Sequence, residues 1–174
     1  MVGPQLRLKV EFMTDTKKTA QELTQQQAEE VLLRLLARRE HSALELKQKL
    51  RQRGFTQQPL EAALAKAQQL GWQSDQRFTE SWVKQCLEKG DGVRKIQAQA
   101  QQKGISEALL QQVLLAHQPD WHQQCYQRLI KKFGEQPPVD QKQRDKMIRH
   151  LLQRGFSFDS IKIALQRQSD AAAD

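Results

Sequence analysis

Apolar positions along this chain recur with a helical period, and the recurrence is itself repeated. Three signals, Arg53-Gly54-Phe55, Lys103-Gly104-Ile105 and Arg154-Gly155-Phe156, set their glycines 50 and 51 residues apart. Counted from each glycine, position −8 holds Leu46, Ile96 and Met147, and position −4 holds Leu50, Ala100 and Leu151. Position +1 holds Phe55, Ile105 and Phe156; +6 holds Leu60, Leu110 and Ile161; +10 holds Leu64, Leu114 and Leu165. Steps of four keep side chains on one helix face, so each unit predicts a helix before the glycine and another after it. A period near fifty is the mark of a tandem helical array.

Local chemistry agrees with that division. Glycine supplies the left-handed residue that ends a helix, and the basic residue before it suits the negative end of the helix dipole. Ser42-Ala43-Leu44-Glu45 has the spacing of a capping box, so the middle helix of the first unit is expected to begin near Ser42. Each unit also has a leading helix. The first is capped from Thr24 to Gln27 and runs through Val31, Leu32, Leu35 and Leu36. The second opens at Ser74-Asp75 and runs through Phe78, Trp82, Cys86 and Leu87. The third follows Pro119-Asp120 and carries Trp121, Cys125, Leu129 and Phe133 as far as Gly134. The expectation is therefore an all-α chain of nine helices, a tandem array of three three-helix repeats, elongated and curved. The repeats occupy residues 24–71, 72–118 and 119–168, with a tail at 169–174. Residues 1–23 follow none of this pattern and read as a disordered N-terminal extension. The alternation Leu6, Leu8, Val10, Phe12 offers a strand as the other reading, and Met13 offers a second possible start.

Composition narrows the class. The 174 residues include 30 Gln but only 7 Val, 6 Ile and 6 Thr, which favours helix over sheet. No apolar run approaches the roughly 20 residues of a membrane span, and no signal-peptide pattern opens the chain, so a cytoplasmic protein is expected. The net charge of +8 is uneven: the third repeat contributes +5, the first +3 and the second +1. Such an excess attracts nucleic acid or an acidic protein surface.

Catalytic signals are weak. His41, His117, His122 and His150 have no metal-ligand spacing, and no phosphate-binding or nucleophile-elbow motif is present. Cys86 and Cys125 lie far apart and read as two idle thiols. No enzyme activity, metal or cofactor is expected. Basic rows carry more. Lys142, Lys146 and Arg149 fall on the face opposite Met147 and Leu151, and Arg128, Lys131 and Lys132 cluster beside the stripe of Trp121, Cys125 and Leu129. In the first repeat Arg34, Arg38 and Arg39 group at the end of the leading helix, and Lys47 and Arg51 pair at i, i+4. Rows of point charges suit phosphates rather than base edges, so these residues are the candidate contacts to single- or double-stranded DNA or to a nucleoprotein filament. The aromatics Phe55, Trp72, Phe78, Trp82, Trp121, Phe133 and Phe156 fall on core columns or turns, which argues against base stacking.

From about residue 25 to residue 168 the chain resembles the bacterial RecX regulatory family. The segment Arg39-Glu40-His41-Ser42, then Glu45-Leu46, Lys49-Leu50 and Gly54-Phe55, is similar to that family's first hallmark. Asp75, Arg77-Phe78, Gly90, Gly92, Lys95-Ile96 and Lys103-Gly104-Ile105 resemble the second. Asp120-Trp121, Lys131-Lys132-Phe133-Gly134-Glu135 and Arg154-Gly155-Phe156 resemble the third. The resemblance implies a tandem three-helix-repeat fold that binds the RecA recombinase, its filament on DNA, and DNA itself; a monomer is expected. It further implies inhibition of recombination, ATP hydrolysis and SOS co-protease activity. The second repeat departs from the pattern: Val93 follows Gly92 where proline is usual, Gln97 replaces a basic residue and Ala100 replaces leucine. The first and third repeats therefore carry the expected grip. Two other readings fit the same residues, a helix-turn-helix-like DNA-binding regulator and a helical-repeat adaptor for peptides.

Overall fold

The structure, a computed structural model, describes residues 24–173. The N-terminal extension and the alternation from Leu6 to Phe12 lie outside the described residues. Nine helices and no strand occur among those described. Helix α1 covers residues 24–36. It is followed by α2 (Ala43–Gln52), α3 (Gln57–Gln69), α4 (Asp75–Glu88), α5 (Val93–Gln102), α6 (Glu107–His117), α7 (Trp121–Phe133), α8 (Gln141–Gln153) and α9 (Phe158–Ala171). The last of these continues into the stretch read as a tail. The chain divides into two compact units, one ending at Asp75 and one beginning at Gln76. The first repeat thus stands as one body, and the second and third repeats share the other.

The glycine columns behave as their positions require. Gly54, Gly104 and Gly155 adopt φ of +85°, +74° and +86°. After each, the N–H of the +1 residue reaches back to the carbonyl at −4: Phe55 to Leu50 at 3.2 Å, Ile105 to Ala100 at 3.0 Å, Phe156 to Leu151 at 3.2 Å. These are Schellman closures, which satisfy carbonyls that the helix end would otherwise leave open. The residue that makes the closing bond is also the one that turns inward, so cap and core are set by the same three residues.

Each repeat has its own apolar core. In the first unit Ala28 and Leu32 of α1 meet Leu46 and Leu50 of α2 and Leu60, Ala63, Leu64 and Ala67 of α3, all buried. In the second unit one core gathers Phe78, Trp82, Val83, Cys86, Ile96, Ala100, Ile105, Leu110, Val113 and Leu114. The other gathers Cys125, Leu129, Met147, Leu151, Phe156, Ile161, Ala164 and Leu165. Removing a side chain such as Leu50 or Leu151 to alanine costs about 2 to 5 kcal/mol in such surroundings. The repeat columns are buried throughout except Phe55, which is only partly covered.

One aromatic placement differs from expectation. Trp121, read as the first member of the α7 stripe, packs against the second-repeat core. As the first residue of α7, it reaches past its own repeat. Trp72 lies on no core column; it is 38% exposed in the turn that follows the α3 cap glycine. Asp120 caps α7 by accepting from His122 N–H at 3.0 Å and Gln123 N–H at 2.9 Å. Gln168 of α9 is buried and donates to the carbonyls of Gly134 at 2.8 Å and Gln136 at 3.0 Å, fixing the α7–α8 loop.

Candidate nucleic-acid interface

The helix starts come first, because they decide which basic side chains are spent on structure. Ser42 caps α2, its Oγ accepting from Glu45 N–H at 3.1 Å. Glu45 in turn accepts from Arg39 Nη1 at 3.0 Å and lies 3.0 Å from His41 Nδ1. Asp75 accepts from the Ala43 N–H at 2.8 Å and from Gln73 at 2.9 Å, while Gln73 also donates to the His41 carbonyl at 3.2 Å. The Arg-Glu-His-Ser segment, with His41 and Ser42 buried, is therefore the anchorage for the start of α2. Burial lowers the His41 pKa, opposed by the Glu45 carboxylate.

In the second unit the start of α5 is anchored otherwise. Asp91 is 4% exposed and accepts from Lys95 Nζ at 2.8 Å and from Arg154 Nη1 at 2.8 Å. The Gly92 N–H donates to the Arg154 carbonyl at 2.7 Å, and the Arg94 N–H donates to the Gly155 carbonyl at 3.1 Å. A Cβ on Gly92 would stand 2.5 Å from the Gly155 carbonyl carbon, and one on Gly155 would stand 2.4 Å from the Lys95 nitrogen. Two glycines thus let backbone meet backbone, and the turn of the third repeat caps the helix of the second. This contact explains how α5 begins squarely at Val93 without the usual proline: its first N–H groups already have partners.

Each expected contact residue can now be placed. Arg34 pairs with Glu30 at 3.2 Å, both well exposed. Arg38 is exposed in the turn after α1, and Arg39 belongs to the α2 anchorage just described. Lys47 pairs with Glu61 at 3.0 Å, tying α2 to α3, and Arg51 donates to Gln57 at 3.1 Å. Most of the first-repeat cations thus have a partner in their own repeat. In the third repeat Lys131, Lys132, Lys142, Lys146 and Arg149 are exposed, and none has an ion pair among the described residues. Lys142, Lys146 and Arg149 form one row on the solvent face of α8, opposite buried Met147 and Leu151.

Arg128 turns inward. Its Nε donates to His150 Nε2 at 3.3 Å, and its Cδ would lie 3.2 Å from a Cβ on Gly90. Burial, then the neighbouring Arg154 charge, lower the Arg128 pKa. Burial, then Arg128, Arg154 and Lys132, lower that of His150, which also meets the Phe133 ring edge-on at 5.4 Å. Arg128 and Lys131 line a cleft of about 350 Å³ together with Lys84 and Lys89, which come from α4 and its C-terminal end. Lys84 and Lys89 were not among the expected contacts. They are five residues apart, a spacing with no helical signal, and they meet Arg128 only because α4 and α7 are neighbours. Asp91 and Arg154 were likewise missed as partners, 63 residues apart in sequence.

No group of side chains among the described residues suits a metal ion. Both cysteines are buried and free, and burial pushes the Cys86 thiol up to about 11 and the Cys125 thiol to about 12. Neither is an available thiolate at neutral pH. No described helix is long and apolar enough to cross a membrane.

Comparison with known proteins follows the same three-part division. The first, second and third three-helix domains of RecX match residues 28–66, 74–114 and 120–165. The regulatory protein RecX of Legionella pneumophila is 40% identical over 129 residues, covering 74% of this chain and 86% of that protein. That of Vibrio parahaemolyticus is 34% identical over 143 residues, 82% of this chain and 92% of the relative. A crystal structure of RecX from Lactobacillus salivarius superposes with a TM-score of 0.68 at 19% identity, over 84% of this chain and 97% of the other. A second crystal structure of a regulatory protein RecX gives 0.73, also at 19% identity, over 87% of this chain and 76% of the other. These structures share the fold. With all three domains matched in order and relatives this similar over most of their length, the chain belongs to the RecX family of regulatory proteins.

Proposed function

We propose that this chain is a cytoplasmic, non-enzymatic regulator that binds the RecA recombinase and its filament on DNA. Binding lowers recombination, DNA-dependent ATP hydrolysis and SOS co-protease cleavage. The observation that carries this reading is the match to all three RecX domains in order, without a gap in the repeat series. The exposed cations on α7 and α8 supply what such a target requires, rows of charge without an ion pair among the described residues. A monomer places Lys131, Lys132, Lys142, Lys146 and Arg149 against phosphates, and Lys84 and Lys89 extend the same positive field on the α4 side of the cleft. Arg38 and Arg51 are the first-repeat candidates without a carboxylate partner among the described residues.

The test is turnover. Adding the protein to RecA on single-stranded DNA at modest ratio lowers the rate of ATP hydrolysis, and co-sedimentation finds it with the filament. Undiminished hydrolysis, with the protein absent from sedimented filaments, overturns the reading.

A further inference from the structure

The turn Arg154-Gly155-Phe156 has an occupant, and the same three residue types recur at Arg53-Gly54-Phe55 without one among the described residues. In the third repeat the turn receives the start of α5. Arg154 holds the Asp91 carboxylate, the carbonyls of Arg154 and Gly155 accept the N–H groups of Gly92 and Arg94 at the start of α5, and Gly155 is buried by the contact. Phe156 beneath it is 1% exposed. In the first repeat the backbone is the same: Gly54 at φ +85°, against +86° for Gly155, with the matching Schellman bond from Phe55 to Leu50. Yet a Cβ on Gly54 would meet nothing within 4 Å among the described residues, Gly54 and Arg53 are exposed, and Phe55 is only partly covered. The Arg53 guanidinium rests on the Lys49 carbonyl of its own helix at 2.8 Å and has no carboxylate partner among the described residues.

We propose that the Arg53-Gly54-Phe55 turn is an open docking site for the N-terminus of a partner protein's helix, one beginning with an acidic residue followed by glycine. The occupied copy in the same chain states what fits. The acid pairs with the arginine, and its charge-assisted bond is stronger than a neutral one. The glycine permits backbone-to-backbone approach, and its own N–H and that of the second residue after it, which a helix start leaves open, find the turn carbonyls. Arg53 needs only to release the Lys49 carbonyl to reach the position that Arg154 holds. The surface differs from the basic rows of the third repeat in what it selects, an acidic protein helix rather than phosphate, and it holds whichever protein supplies that helix.

The probe is a synthetic peptide of residues 90–102 of this chain, Gly-Asp-Gly followed by the α5 sequence, added to the isotope-labelled full chain. Amide shifts are followed residue by residue, a readout that tolerates the weak binding of a short helix. The expected result is a set of saturable shifts centred on Arg53, Gly54 and Phe55. Changing Asp91→Asn in the peptide, or Arg53→Gln in the chain, weakens the response about tenfold. Gly92→Ala in the peptide abolishes it, although alanine makes the peptide more helical, because a Cβ there meets turn backbone. Three results overturn the proposal: no shift at Arg53 to Phe55 at millimolar peptide, equal binding by the alanine peptide, or an unchanged response from the Arg53→Gln chain. Arg53 is exposed, so that variant is expected to fold, and its undisturbed spectrum without peptide is the check.

Discussion

Helices α2 and α5 occupy the same place in successive repeats, and each opens on an i, i+4 pair with one buried member, thirteen and nine residues before its repeat glycine. In the first repeat the pair is His41 with Glu45; in the second it is Asp91 with Lys95. The signs are reversed in the same register. Each carboxylate then draws in an arginine, Arg39 from the preceding turn in one case and Arg154 from the following repeat in the other. The first anchorage is closed within its own body by Ser42, Gln73 and Asp75. The second is completed only by the backbone of a neighbouring turn, so α5 and the α8–α9 turn stand or fall together. A repeat can therefore keep its core columns while changing what its helix start binds, and the choice decides which repeats fuse into one unit.

The glycine turns give the sharpest way to break this comparison. Gly155→Ala costs about 4 kcal/mol, because the positive φ, the clash with Lys95 and the loss of two backbone bonds all fall together. Gly54→Ala meets open space and costs about 1 kcal/mol from its φ alone. Equal losses in chemical denaturation would show that the second turn is no more engaged than the first. The carboxylates come next. Asp91→Ala strands Lys95 and Arg154 and costs about 3 kcal/mol. Glu45→Ala leaves Arg39 free to turn into water and costs about 1.5 kcal/mol.

The histidines sharpen the contrast through pH. Both have pKa values lowered from 6.5, so folding favours the neutral ring. Their contribution is complete above that value and is lost as the pH falls below it toward the folded value, since the unfolded chain then binds more protons. His41 has Glu45 to offset its burial, whereas His150 faces Arg128, Arg154 and Lys132. Melting temperatures compared at about pH 7.5 and about pH 5.5 should therefore converge more in a His150→Gln variant than in a His41→Gln variant. Smallest in stability is Lys142, Lys146 and Arg149 to glutamate, which leaves the melting temperature within a few degrees. The same change lowers the salt slope of DNA binding by about 2 to 3. An unaltered slope would remove the α8 row from the interface.

Much of this was open to a reader of the sequence. The five columns named the core of each repeat, and Ser42 with Glu45 named the start of α2, because helix period and capping depend on neighbours a few residues apart. The rows on α8 were legible for the same reason: Lys142, Lys146 and Arg149 share a face whatever the helix packs against. Phe55 and Phe156 occupy one column and look alike in sequence, yet one is half-covered and the other buried. Their surroundings come from elsewhere in the chain.

The sequence alone determined three three-helix repeats, the glycine turn inside each, and the face each helix turns to its core, since these follow from local backbone preference and periodic burial. Only the tertiary structure decided that Arg39 and Lys47 are committed to carboxylates while Lys131 and Lys146 have none. It also brought Lys84 and Lys89 beside Arg128, and seated Asp91 on Arg154 while leaving Arg53 without a carboxylate. Charge pairing between distant segments depends on which surfaces meet in space, and no spacing along the chain encodes that.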